Sequence, residues 1–170
     1  MERTLCEINE RMTNLNPIGL DRTEAALLSK QLNALLANYS IFHQNTRGYH
    51  WNIRGEKFFE LHLKFEELYN DLLLKIDEIA ERILTLGHHP THNYSEYARV
   101  ATIQESPLIT EGPQAVAEIL EAFKAIMPMQ RALLKQAAEI GDEGTSALMS
   151  DYIRAQEKMI WMYSAYLNNI

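Results

Sequence analysis

Helix breakers are scarce in this chain and cluster at a few places, which leaves four long uninterrupted stretches and little room for anything but helices. Glycine occurs 7 times and proline 5 times in 170 residues. Asp21 followed by Glu24 has the form of a capping box. Leu27, Leu28, Leu32, Leu35, Leu36, Tyr39, Phe42 and His43 then recur at helical spacing to about Trp51. Gly55 interrupts. A second helix is expected from about Lys57 to Leu86, stopped by Gly87 with Pro90 shortly after. Residues 88–110 are too long for a simple turn, and the segment SEYARVA within them suits one short helix. Thr110 and Pro113 open a third long helix to about Ile140, with a kink expected at Pro128. The turn GDEGTS precedes a last helix over about 145–167. Neither strand-like alternation nor an internal repeat is present. The pattern predicts an all-α four-helix bundle over 21–170, with a short extra helix in the long connection between helices two and three, after an N-terminal tail of 1–20.

Composition narrows the function classes. Hydrophobic residues make up 46% of the chain, enough for a real core and against intrinsic disorder. The one cysteine, Cys6, allows no internal disulfide, so a reducing compartment is expected. No stretch approaches the roughly 18 apolar residues of a membrane span, and the first residues lack the apolar core of a signal peptide. The expectation is a cytoplasmic protein with no membrane partner. The net charge of −7 disfavours a phosphate-backbone binder. Arg3 and Arg11 stand against Glu2, Glu7 and Glu10, and the closing YLNNI carries no positive side chain.

The second helix carries the chemistry. On a wheel, Phe65, Leu68, Tyr69, Leu72, Ile76, Ile79, Ile83 and Leu86 fall at about 240–340° and face the core. Lys64, Glu67, Asp71, Lys75, Glu78 and Arg82 fall at about 140–220° and are expected to be solvated. The remaining arc holds His62, Glu66, Asp77 and Glu81 at about 0°, 40°, 60° and 100°, interleaved with Leu73, Ala80 and Leu84. Leucines among carboxylates point to a second buried surface, toward another chain. An ordinary dimer interface with salt bridges is the plain alternative.

Spacing decides how these residues can meet. Asp77 follows His62 by 15 residues, so roughly 22 Å separates the two halves of the set along one helix. Metal bonds to nitrogen and oxygen are only about 2.0–2.2 Å. Two copies packed antiparallel across a two-fold axis bring His62 and Glu66 of one chain opposite Asp77 and Glu81 of the other, and generate two equivalent sites. Each half is an i,i+4 pair, which aims two side chains at one point. His50, with Trp51 at the end of the first helix, is placed to fold in beside His62 across the Gly55 turn. Imidazole and carboxylate without thiolate suit iron as Fe(II), zinc as Zn(II) or manganese as Mn(II), rather than Cu(I) or an iron–sulfur cluster. No Glu-x-x-His occurs, which disfavours a di-iron site inside the bundle.

The run from His50-Trp51-Asn52 through Gly55 and Phe58-Phe59 to Leu61-His62 resembles a signature of the Dps family, DNA-binding proteins from starved cells. So does Ile76-Asp77-Glu78-Ile79-Ala80-Glu81-Arg82 with Leu86, Gly87 and Pro90, and Glu157-Lys158 with Trp161-Met162 resembles the family's last helix. The resemblance extends from about residue 21 to the end. It implies a ferritin-like bundle and a mini-ferritin: a hollow homododecamer that oxidises Fe(II), with hydrogen peroxide in preference to dioxygen, and stores ferric mineral against oxidative damage. The family's inter-subunit ferroxidase ligands fall on His50, His62, Glu66, Asp77 and Glu81, where relatives often carry Asp at the place of Glu66. Its electron-donating aromatic falls on Trp51; an interface tryptophan that simply packs is the alternative. The family's DNA binders use Lys/Arg-rich tails, so DNA binding here is expected to be weak or absent; a DNA-compacting shell with incidental metal binding and a zinc-stabilised dimer without redox work are the rivals. The acidic iron-entry pore resembles the stretch around Asp142, Glu143 and Asp151, with Ala147 where many relatives have Asp. His88, His89 and His92 read as a solvated loop, and Met127, Met129, Met149, Met159 and Met162 as core packing.

Overall fold

A computed structural model describes residues 14–168; Cys6 and the arginines expected near the start lie outside them. Helix α1 spans Arg22–Asn52. Its first turn is closed by the Asp21 carboxylate, which accepts from the backbone N–H of Thr23 at 2.8 Å and of Glu24 at 3.1 Å. Helix α2 spans Phe58–Thr85 and stops in a Schellman turn. There Gly87 takes φ +91°, His88 N–H donates to Ile83 at 3.1 Å and Gly87 N–H to Leu84 at 2.9 Å. Only a residue without Cβ adopts that φ at low cost, so Gly87 fixes where α2 ends.

The short helix α3, Tyr94–Val100, lies in the long connection, as expected. Helix α4 spans Gly112–Glu139, with Pro113 in its first turn, where the missing N–H costs nothing. It continues as one helix through Pro128. Helix α5 spans Glu143–Tyr166 and is capped by Asp142. Among the described residues the elements are all helical.

Two ties set the topology. Asn16 donates from its side chain to the Leu86 carbonyl at 3.2 Å, joining the start of α1 to the end of α2. Arg54 N–H donates to Thr110 at 3.0 Å, joining the end of α1 to the entry of α4. The connection therefore crosses the full length of the bundle. Three asparagines of α1 staple it down. Asn33 accepts from Thr91 N–H at 2.7 Å, Asn38 from Thr102 N–H and Ile103 N–H at 3.0 Å each, and Asn45 from Ser106 N–H at 2.9 Å.

Leu32, Phe42, Phe65, Leu72, Ile79 and Phe123 are fully enclosed at the centre. Each such side chain contributes about 1.5–3 kcal/mol by leaving water. Phe42 and Phe123 meet edge to face at 5.1 Å.

Part of the arc of α2 read as solvated is engaged with α5 instead, while Lys64 and Glu67 are exposed as expected. Lys75 is 7% exposed, its ammonium 2.5 Å from Asp71 and 5.1 Å above the Tyr152 ring. Tyr152 donates to Glu78 at 2.6 Å, and Arg82 pairs with Asp142 at 2.5 Å. Deeper still, Gln156 joins Tyr39 to Gln130. Polar side chains of this network occupy part of the bundle interior.

Candidate metal centre

The Gly55 turn, at φ +100°, lets α2 fold back so that its first turns lie against the last turns of α1. His50 and His62 meet there. Each Nδ1 lies 2.8 Å from the backbone carbonyl of the other residue. A carbonyl only accepts, so in the neutral rings each Nδ1 carries the hydrogen and each Nε2 keeps its lone pair. The rings stack at 3.7 Å and 23°. Phe58 covers His62 from its far side at 5.0 Å and 26°, and the Tyr69 edge meets His50 at 5.2 Å and 79°. Two imidazoles are thus held side by side with one nitrogen of each free to bind.

Glu66 sits one turn beyond His62, and Tyr69 donates to its carboxylate at 3.4 Å. The structure so gathers His50, His62 and Glu66 at one end of α2. Asp77 and Glu81 lie exposed farther along the same unbroken helix. Among the described residues no group of three or more His, Cys, Asp or Glu in one chain is arranged to hold a metal ion.

The surroundings of these candidate ligands are apolar and uncovered. Leu63, Leu73 and Leu84 are each about half exposed, at 52%, 51% and 53%, and Phe59 is almost bare. Trp51 is 58% exposed, with the Arg47 guanidinium 4.7 Å above its ring. Beside Tyr69, at 6.1 Å, burial and then the charge of Arg47 hold His43 below the usual histidine value. Phe58 and Tyr69 were not singled out for the site from sequence. Their spacings to His62 and Glu66, i,i+4 and i,i+3, were the available signal.

The profile described as Ferritin-like domain matches residues 29–170. The DNA protection during starvation protein of Porphyromonas gingivalis is 42% identical over 152 residues, covering 89% of this chain and 96% of that one. The crystal structure of the DPS protein from Vibrio cholerae O1 superposes with a TM-score of 0.89 at 55% identity, covering 91% and 97%. The chain belongs to the Dps family of ferritin-like proteins. An uncharacterized protein of Haemophilus influenzae is also similar, 47% identical over 148 residues and covering 87% and 92%. The Vibrio protein is described as one of a broad superfamily of ferritin-like diiron-carboxylate proteins. Dps membership makes the function of this chain an iron-related one.

One Dps expectation changes against the coordinates. Asp142, read as part of an acidic iron pore, is 3% exposed and fully engaged. It pairs with Arg82, accepts from Thr145 N–H at 3.0 Å and from the Thr145 hydroxyl at 2.6 Å. Burial pushes its carboxyl up, but Arg82 and Thr145 more than offset that and hold it below the usual carboxylate value. Asp142 is the cap and anchor of α5, while Glu143 and Asp151 remain exposed, the latter beside Arg154 at 2.8 Å.

Proposed function

We propose that this Dps chain is a ferroxidase that stores the iron it oxidises. Fe(II), the substrate, binds between two chains, held by His50, His62 and Glu66 of one and by Asp77 and Glu81 of the other. The observation that supports this most is the reciprocal pair of Nδ1 bonds between His50 and His62, which leaves the Nε2 lone pair of each neutral ring available as a donor. Neutral nitrogen binds Fe(II), and the carboxylates favour Fe(III) by charge. Two Fe(II) ions give one electron each to hydrogen peroxide; its O–O bond breaks and both oxygens leave as water after taking up protons. No single-electron cleavage occurs, so no hydroxyl radical escapes. Dioxygen is the slower alternative oxidant. When one Fe(II) alone meets peroxide, the Trp51 indole supplies the second electron. Twelve subunits enclose the cavity where ferric mineral collects.

Anaerobic Fe(II) titration followed by stoichiometric peroxide tests the reading. Rapid oxidation without radical products is expected, and His62→Ala combined with Asp77→Ala should abolish it. Unchanged kinetics in that double variant discards the site.

Several relatives are named for DNA protection, which keeps a second reading in view. The net charge of −7 opposes it, and twelve copies multiply that charge. A gel shift near physiological salt decides: retained plasmid restores DNA compaction, free plasmid leaves iron chemistry as the function.

A further inference from the structure

On the side of α2 that carries Asp77, a groove of about 430 Å³ runs between that helix and the chain following it. Leu36, Leu73, Ile76 and Ala80 wall it, and Pro90 and Tyr97 close it. Two metal-capable side chains line this otherwise largely apolar space, Asp77 and His92.

His92 does not hang on a free loop. Its neighbour Thr91 is held at both backbone groups, its N–H by the Asn33 side chain at 2.7 Å and its carbonyl by the Tyr97 hydroxyl at 2.6 Å. Asn33 also donates to the His89 carbonyl at 3.3 Å. The backbone that presents His92 is thereby fixed to α1, and through α1 to α2. The His92 side chain itself is exposed, carried on a backbone held by its neighbours. Of the three loop histidines, His92 lines the groove and His88 and His89 do not.

The geometry points to His92 as an additional iron-holding residue, acting with Asp77 in the groove. This rests on the reading of Asp77 as a ligand of the shared site. An imidazole and a carboxylate lining one groove are a donor pair that first-row divalent ions favour. The apolar lining offers no competing ligand, and the Asp77 charge attracts an entering cation. His92 so captures Fe(II) on the Asp77 half of the site, as His50 and His62 do on the other half.

The test is anaerobic Co(II) titration of the full-length assembled protein, read by calorimetry and by the visible absorption of bound Co(II). His92→Ala is expected to weaken Co(II) binding by about tenfold or more and to change the absorption band. His89→Ala, on the same loop, is expected to leave both unchanged. Wild-type affinity and an unchanged band in His92→Ala, with loss in His62→Ala, overturn the assignment of His92 and leave the shared site standing. Wild-type binding in both variants overturns the shared site and this inference with it. His92→Gln, which keeps polarity without the imidazole, replaces the alanine variant if size-exclusion shows that the latter fails to assemble, and is judged by the same outcomes.

Discussion

Tyr69 reaches the Glu66 carboxylate with its hydroxyl at 3.4 Å while its ring edge meets the His50 imidazole at 5.2 Å. One side chain therefore touches two candidate ligands that come from different helices. Tyr69→Phe keeps the edge contact and removes the hydroxyl. Because the hydrogen bond is long, the expected loss in Fe(II) oxidation rate is less than about tenfold. Stopped-flow oxidation at saturating and limiting Fe(II) measures it, and a rate equal to wild type shows that the hydroxyl does not orient Glu66.

The Arg82–Asp142 pair predicts an acid limb in stability. Asp142 is held below its ordinary value in the folded chain, so it binds fewer protons there than when unfolded. Its stabilising effect is fully present above an unfolded value near 3.8 and fades as pH falls through the lower folded value. Asp142→Asn keeps a capping oxygen and loses the charge; at neutral pH it should cost about 2 kcal/mol. Asp142→Ala also loses the cap, for about 1 kcal/mol more. Thermal melts at pH 7 and under strongly acid conditions check both, since the gap between wild type and Asp142→Asn should close on acidification.

Lys75 and Asp71 form a pair in which one end is buried and the other reaches water. Lys75→Met should destabilise by roughly 1–3 kcal/mol, less than for a fully enclosed pair, because Asp71 can rehydrate. Adding Asp71→Asn should recover part of that loss. A double-mutant cycle from denaturant unfolding reads the coupling, and strict additivity of the two changes would show that the contact contributes nothing.

Leu63 lies half exposed among the candidate ligands on the outer face of α2. Leu63→Glu should leave helix content and single-chain folding almost unchanged, since surface changes cost about 0.5 kcal/mol or less. Its effect should fall on assembly, as a shift to small species in size-exclusion. Leu108→Glu, exposed on the crossover, serves as the comparison and should assemble normally. Full assembly of Leu63→Glu would place the interface elsewhere.

Much of the fold was legible because its boundaries are set by local chemistry. Asp21 caps α1, Gly87 ends α2 and Pro113 opens α4, each by a requirement of the residue itself. The candidate ligands were legible as residue types on one stripe. What could not be read was pairing across distance. Lys75, Glu78 and Arg82 look solvated on a wheel, and only α5 supplies Tyr152 and Asp142 to engage them. The same gap made Asp142 look like a free pore carboxylate. The crossed Nδ1 bonds of His50 and His62 depend on how the Gly55 turn stacks two backbones, which no residue spacing encodes.

Helix α2 bears both halves of the proposed site on one rigid rod, one near each end. Genetic complementation follows from that arrangement. On the proposed site a His62→Ala chain and an Asp77→Ala chain should each be inert with copies of themselves, since every cage would lack a ligand. Co-expressed, a mixed pair has one doubly damaged cage and one made wholly of native side chains, so two dead alleles restore activity that neither has alone.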